Sequence, residues 1–263
     1  VNGNGNTVYY VAFGSATADP AASGTFKMAT GTFTGTAALQ QISGLEFAPD
    51  LVIIKGNTTQ AGAFRTRVMG GDTTAYLDAA TANFTGGIIS LNNDGFTLGT
   101  SAVTNNSGTT YYYTAFGNAY NPMTKSGAAD FFIGAYYGNG IDSRNITNLP
   151  FQPDMVTVKR SGATGGVFHT VNHSGDTTSY FAATADLANS IQSLRSDGFQ
   201  VGTDATVNTA ANTYWYFGFK DGAGFATDTY TGTGSTATIS TVGFQSNFLW
   251  VKAATAVRGV ERT

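Results

Sequence analysis

The chain contains no cysteine in its 263 residues. Disulfides, thiolate nucleophiles and cysteine-ligated zinc are therefore excluded. Charge is also scarce: Asp, Glu, Lys and Arg together make up 11% of the chain, against about 25% in an ordinary globular protein. The net charge is −3 and no basic run occurs, so the clustered Lys and Arg that neutralise nucleic-acid phosphates are missing. No apolar run approaches the roughly 18 residues of a membrane helix, and no membrane span is expected. The opening Val1-Asn-Gly-Asn-Gly-Asn6 has no initiating Met, basic region or apolar core of a secretory signal. Histidine occurs only as His169 and His173. No Gly-x-Ser-x-Gly elbow is present, and Gly3-Asn-Gly5 lacks the strand-to-helix setting of a phosphate loop. So few acids make a paired-carboxylate glycosidase centre hard to build. No catalytic residue, cofactor or metal is expected, and the chain reads as non-enzymatic.

Hydrophobic residues are abundant at 41%, enough for real cores, and the polar remainder is largely Thr, Ser, Asn and 34 glycines. Many turns between runs of Thr, Tyr, Phe and Val indicate an all-β chain. The strongest feature is a recurring aromatic stretch: Val8-Tyr-Tyr-Val-Ala-Phe-Gly14, Tyr111-Tyr-Tyr-Thr-Ala-Phe-Gly117 and Tyr214-Trp-Tyr-Phe-Gly-Phe-Lys220, each step being 103 residues. Other blocks recur in the same order. Gly31-Thr-Phe-Thr-Gly35 matches Gly134-Ala-Tyr-Tyr-Gly138, and Leu45-Glu-Phe-Ala-Pro-Asp-Leu-Val52 matches Leu149-Pro-Phe-Gln-Pro-Asp-Met-Val156. Gly71-Asp-Thr-Thr-Ala-Tyr76 matches Gly175-Asp-Thr-Thr-Ser-Tyr180, and Asn93-Asp-Gly-Phe-Thr-Leu-Gly99 matches Ser196-Asp-Gly-Phe-Gln-Val-Gly202.

A fixed period of this size marks a tandem array. Seven or eight short strands per copy fit an antiparallel β-sandwich, jelly-roll-like, with a period of about 103 residues. Residues 1–20 read as the closing strand of a preceding copy, 21–122 and 123–224 as two whole copies, and 225–263 as the start of a further, truncated copy. Asp94-Gly95 reads as a hairpin turn, and Ala185–Ser190 as the one place for a helical turn. Because it opens within a repeat, the chain is expected to be a piece of a longer one. Another reading has the tail of one subunit pairing with the head of the next by strand addition.

Side chains alternate across the aromatic strand. Phe13, Phe116 and Phe219 share a face that reads as the core of each sandwich. The opposite face carries Tyr10, Tyr111, Tyr113, Tyr214 and Tyr216, which are expected at an interface with a neighbouring domain or subunit. Among polar residues, Asp72 with Thr73 and Asp176 with Thr177 are the candidate ligand-binding groups, since a carboxylate beside hydroxyls suits a glycan or an ion. The same residues could close an Asx turn on their own backbone. Asp94 and Asp197, and likewise Asp50 and Asp154, read as turn residues, with calcium a conceivable ligand of the first pair. His169 and His173 read as two exposed residues on one strand, because their counterparts Arg65 and Met69 cannot share a metal-ligating role. The loops Asn105–Thr110 and Asn139–Asn145 read as solvated connections.

The order Gly-x-Phe/Tyr-x-Gly, Leu-x-Phe-x-Pro-Asp, Asp-Gly-Phe and aromatic strand resembles the tandem β-domains of bacteriophage tail and virion structural proteins. Phe248-Leu-Trp-Val-Lys252 is similar to the Phe-Val-Trp-Ile-Lys form common there. Ser246-Asn247 departs from the Pro-Asp of the other copies. The resemblance implies a virion-surface or extracellular module that assembles with copies of itself into a fibre or stalk and contacts a host surface, with a host glycan as a possible partner. A cell-surface filament or surface-layer subunit is the first alternative. The carbohydrate-binding region of a secreted glycosidase is the second.

Overall fold

The computed structural model describes residues 1–14, 26–120, 127–222 and 224–262; the expected boundaries at 20/21 and 122/123 lie outside them. The chain opens with β1 (Thr7–Phe13). The first full repeat follows as β2 (Lys27–Thr34), β3 (Gln40–Ser43), β4 (Pro49–Gly56), β5 (Ala63–Thr66), β6 (Ala75–Tyr76), β7 (Ile88–Asn92), β8 (Gly95–Leu98), α1 (Ala102–Asn105) and β9 (Thr110–Gly117). The second comprises β10 (Phe131–Tyr137), β11 (Arg144–Ile146), β12 (Met155–Arg160), β13 (Val167–Thr170), β14 (Ser179–Tyr180), β15 (Ile191–Arg195), β16 (Gly198–Val201) and β17 (Thr213–Phe219). β18 (Phe225–Thr231), β19 (Phe248–Ala253) and β20 (Val260–Arg262) complete the described chain. The fold is all-β, and its sheets are antiparallel, as a β-sandwich requires. Among the described residues the one short helix is α1, capped by the Ser101 hydroxyl, and Ala185–Ser190 forms no helical turn.

Each full repeat has two sheets. The inner one has the order β2-β9-β4-β5-β6 in the first repeat and β10-β17-β12-β13-β14 in the second; the outer ones are β3-β8-β7 and β11-β16-β15. The apolar run Leu51-Val-Ile-Ile54 of β4 lies between two layers and is buried on both faces. The hairpin β7–β8 forms where Asp94-Gly95 announces it, but Gly95 lies past the turn, opposite Asn92. Its φ is +151°, and a Cβ there would sit 2.0 Å from the Ile42 carbonyl oxygen, so only glycine lets β3 come this close.

The first and last of the described strands share one sheet. β1 lies between β18 and β19 in a sheet of order β18-β1-β19-β20. Phe13 pairs with Phe225 on one side and Phe248 on the other. Phe116 sits in the same way between Met28 and Leu51, and Phe219 between Phe131 and Met155. These strands form the inner sheet of a third repeat. The second reading, exchange between subunits, is thus corrected: β1 pairs within its own chain, where the tether keeps its partner at high effective concentration.

The repeats of the tandem array do not fold apart from one another. The three inner sheets converge on one apolar centre that draws residues from every repeat, including Phe13, Leu51, Phe116, Met155, Phe219 and Trp250. At its middle the rings of Phe13, Phe116 and Phe219 form a nearly equilateral triangle, with centroids 5.0, 4.7 and 5.0 Å apart. The face read as the core of each sandwich is therefore the one shared between repeats. The face expected at an interface builds each repeat's own interior, with Tyr111 packed among Phe33, Val52, Ile54 and Phe96, and Tyr214 among Val156, Val158 and Phe199. Strands at the joint of a three-part body need apolar residues on both faces, so the alternation alone does not tell which face looks where.

Phe116 is fully buried in the shared core, whereas Tyr137 is 72% exposed. Phe116→Ala is expected to lower the unfolding free energy by about 3–5 kcal/mol. Tyr137→Ala should shift it by no more than about 0.5 kcal/mol. Urea denaturation of the two variants checks both values.

Candidate functional site

The candidate ligand residues lie in equivalent turns. Gly71 and Gly175 adopt φ of +58° and +59° and reverse the chain after β5 and β13. The Asp72 carboxylate then accepts from Gly86 N at 3.0 Å, and the Asp176 carboxylate accepts from Asn189 N at 2.9 Å. Thr73 N and Thr177 N donate back to Gly70 O and Ser174 O. The carbonyls of the same two threonines take a buried donor from the preceding strand: Arg65 Nη1 reaches Thr73 O at 2.6 Å, and His169 Nδ1 reaches Thr177 O at 2.8 Å. Arg65 and His169 thus serve one purpose at equivalent positions, although their chemistry differs. The structure brings Asp72 and Thr73 together, and Asp176 and Thr177 together, each pair in a tie to its own loop.

The tyrosines are placed in the same spirit. Tyr111 OH accepts from Asn106 N and donates to Ala102 O; Tyr214 OH accepts from Thr209 N and donates to Ala205 O. Tyr113 and Tyr216 pack edge-on to Phe96 and Phe199, each at 5.3 Å. Burial pushes the Tyr216 hydroxyl up to about 12. Tyr10 bonds Thr241 Oγ1 at 2.8 Å. All five look into their own repeats.

Asn105, read above as part of a solvated loop, is fully buried. Its amide accepts from Thr36 N and donates to Ala38 O and Gly99 O. Asn208 accepts from Asn139 N and donates to Ile141 O and Gly202 O. Asn2 accepts from Thr233 N and donates to Ser235 O. Positions 2, 105 and 208 stand 103 apart, so the signal was present in the same period as the aromatic strand. A second recurring tie is the lysine that ends the central strand. Lys55 Nζ donates to Gly56 O and Thr58 O, Lys159 Nζ to Arg160 O and Gly162 O, and Lys252 Nζ to Ala253 O and Thr255 O. Burial, with Arg160 nearby, pushes Lys159 down to about 8.

The densest polar cluster joins the second repeat to the third. His169 and His173 are buried at 4% and 7% exposure, which corrects the reading of two exposed strand residues. β13 ends at Thr170, so His173 sits in the following turn and folds back until the two rings are 5.1 Å apart. The Tyr9 ring of the third repeat stacks on His173 at 3.9 Å and 5°. His173 Nδ1 accepts from Thr170 N at 3.0 Å, so the neutral ring carries its proton on Nε2. Nε2 then donates to Ser179 Oγ at 3.0 Å, and Ser179 donates to Asp186 at 2.6 Å. Ser, His and Asp are in contact, but the proton runs from imidazole to hydroxyl to carboxylate. Nucleophile activation needs the imidazole to accept the hydroxyl proton, so this chain of bonds is a tie between loops. Asp186 N also donates to Ala254 O across the repeat boundary at 3.2 Å. Among the described residues, no group of three or more His, Asp or Glu could hold a metal ion.

Comparison with known families adds one match. Residues 22–120 are similar to a family described as Domain of unknown function (DUF7483). This stretch holds the strands of the first full repeat. No curated protein and no solved structure matches the chain at a significant level.

Two expectations follow. Asn208→Ala leaves the Asn139 amide and two loop carbonyls without partners, and should cost about 2–4 kcal/mol in urea denaturation. Burial pushes His173 down to about 3 from 6.5. A base whose folded value is depressed contributes stability above pH 6.5 and loses it as pH falls towards 3. His173→Met copies Met69 of the first repeat and removes that dependence. Between pH 6.5 and 3, wild-type stability should fall relative to the variant by up to about 1.4 kcal/mol per pH unit. Asp130, raised by burial to about 6 from 3.8, acts in the opposite sense, but it is common to both proteins and cancels in a comparison of Tm against pH.

Proposed function

We propose that the chain is a structural module: a three-repeat β-body that holds its loops in fixed positions for assembly and surface contact. The observation that carries this reading is the use made of the polar side chains. Asp72 and Asp176, the three asparagines at 2, 105 and 208, and the three strand-ending lysines all bond the backbone of their own loops at equivalent positions. A body tied in this way presents a rigid surface, and its low charge leaves that surface rich in hydroxyls and amides. Such properties suit a virion tail or fibre component outside the cell, the class that the repeats resemble, with further copies of the chain as partners. A cell-surface filament or surface-layer subunit would use the same properties.

A second reading, the carbohydrate-binding region of a secreted glycosidase, is favoured by one place. Tyr137 borders a cleft of about 320 Å³ between the first two repeats, lined also by Val68, Gly70, Tyr136 and Trp215. An exposed aromatic ring above a cleft is the usual platform for a sugar.

Negative-stain microscopy of native material separates the readings. Particles or filaments that carry the module are expected; free monomers that hydrolyse a polysaccharide would overturn the structural reading. On a glycan array, Asp72→Asn combined with Asp176→Asn should leave any signal unchanged while lowering Tm. Binding lost at unchanged Tm would return those two residues to a ligand role.

A further inference from the structure

Arg144 makes a bond that an amide makes equally well. In the first repeat Gln40, which pairs with Leu98 as Arg144 pairs with Val201, donates Nε2 to Thr34 O at 3.1 Å. Arg144 Nη1 donates to Tyr137 O, the counterpart carbonyl, and to Asn208 Oδ1 at 3.4 Å. That tie uses one nitrogen. Nε and Nη2 donate to no described residue, and the ion pairs among the described residues, Arg67 with Asp50 and Arg258 with Asp78, leave Arg144 without a carboxylate. Asp142, two residues away, accepts instead from Gln192 Nε2 at 2.8 Å.

Two further residues of the second repeat exceed what the fold asks. Asn148 has φ of +79° where Gly44 of the first repeat has +85°. Glycine meets that backbone at no steric cost, so the asparagine adds an amide the turn does not need. Tyr216 is 8% exposed and crosses Gly134, where a Cβ would sit 2.3 Å from the hydroxyl oxygen. Gly134 lies on β10, the outermost strand of its sheet. The Tyr136 hydroxyl donates to Val207 O at 2.7 Å, whereas that of Tyr216 donates to no described residue; burial alone pushes it up to about 12, so it keeps its proton. A donor held this deep is costly unless something accepts from it. All three residues line one cavity of about 310 Å³ between β10 and β11, with Tyr120 and Tyr136 among its walls. Arg144 Cζ stands 5.4 Å from the Tyr136 ring centroid and the Tyr216 ring 6.0 Å from it, so the cation and the unspent phenol flank the same ring. The volume is at the lower end for small-molecule sites, which suits a single ring.

We propose that this cavity binds a carboxylate-bearing sugar residue, a uronic acid, with its carboxylate on Nε and Nη2 of Arg144 and a ring hydroxyl accepting from Tyr216. Nε and Nη2 form one edge of the guanidinium, the fork that grips a carboxylate with two parallel bonds. A simple carboxylate would satisfy that edge but leave the phenol and the Asn148 amide unspent; hydroxyls spaced around a ring supply partners for both. A neutral sugar would leave the cation unpaired. The site does not depend on assembly of the chain, which microscopy tests, so the two readings fail separately.

The test titrates the full chain with D-glucuronate, D-glucose and acetate at low salt and follows the amide shifts by NMR. Glucuronate should move the amides of residues 144–149 and of β10, with glucose and acetate each at least about tenfold weaker. Arg144→Gln copies Gln40, keeps the tie to Tyr137 O and should raise the Kd for glucuronate about tenfold; Tyr216→Phe removes only the hydroxyl and should raise it about fivefold. Both variants are expected to keep the wild-type Tm, and the three-ligand comparison on the wild type decides by itself where one does not. No shift at these residues with glucuronate, or shifts confined to other strands, would overturn the proposal. Glucose binding as tightly as glucuronate would remove the role of Arg144, acetate binding as tightly would reduce the cavity to a bare anion site, and an unchanged Kd in either variant at wild-type Tm would free that residue of its part; each of these also overturns it.

Discussion

Three phenylalanine rings, one from each repeat, meet at the centre of the molecule, and the remaining architecture is arranged to bring them there. Phe13, Phe116 and Phe219 can touch only if three aromatic strands turn the same face to a common axis. Each ring contributes roughly 2–3 kcal/mol from burial, with further gain from its tilted contacts. Neither full repeat could bury this face by itself, because each already uses its opposite face against its own outer sheet. The convergence of the three inner sheets hides the second face as well. Pairing of the chain's two ends follows from the same requirement, since the third ring arrives on β1 and its flanking strands arrive from β18 and β19.

A body so poor in charge must satisfy its buried polar groups by other means. Amides, hydroxyls and a few buried ions bond backbone carbonyls and N–H groups in the loops, and equivalent positions use equivalent ties. Where the residue changes, the bond is kept: Arg65 and His169 both donate to a threonine carbonyl. The His173–Ser179–Asp186 chain is the same device at a repeat boundary, drawn into a buried row by the stacking of Tyr9. Residues that would serve catalysis or metal binding in another setting are here oriented by what their second atom must satisfy. That orientation, rather than their identity, decides their chemistry.

Much of this was legible from the chain alone. The aromatic strands, the apolar run of β4 and the Asp-Gly hairpins all follow from local pattern. Asn2, Asn105 and Asn208 carried a readable signal in their spacing, but a single Asn in a Gly-rich loop gives no hint that it is buried. The histidines misled because their spacing of four implies a shared face only while the strand continues, and β13 stops at Thr170. The five tyrosines were assigned to an interface because a strand that is apolar on both faces has no preferred direction until its neighbours are known.

The sequence by itself determined the strands, their order within a repeat, that each end carries strands of an incomplete copy, and the turn role open to Asp72 and Asp176. These depend on side-chain alternation and turn chemistry, which act over a few residues. Tertiary structure decided which face of the aromatic strand is shared, that the ends pair with one another, and that the repeats surround one core instead of standing in line. Those outcomes depend on contacts between residues more than 100 positions apart, and no local pattern records them.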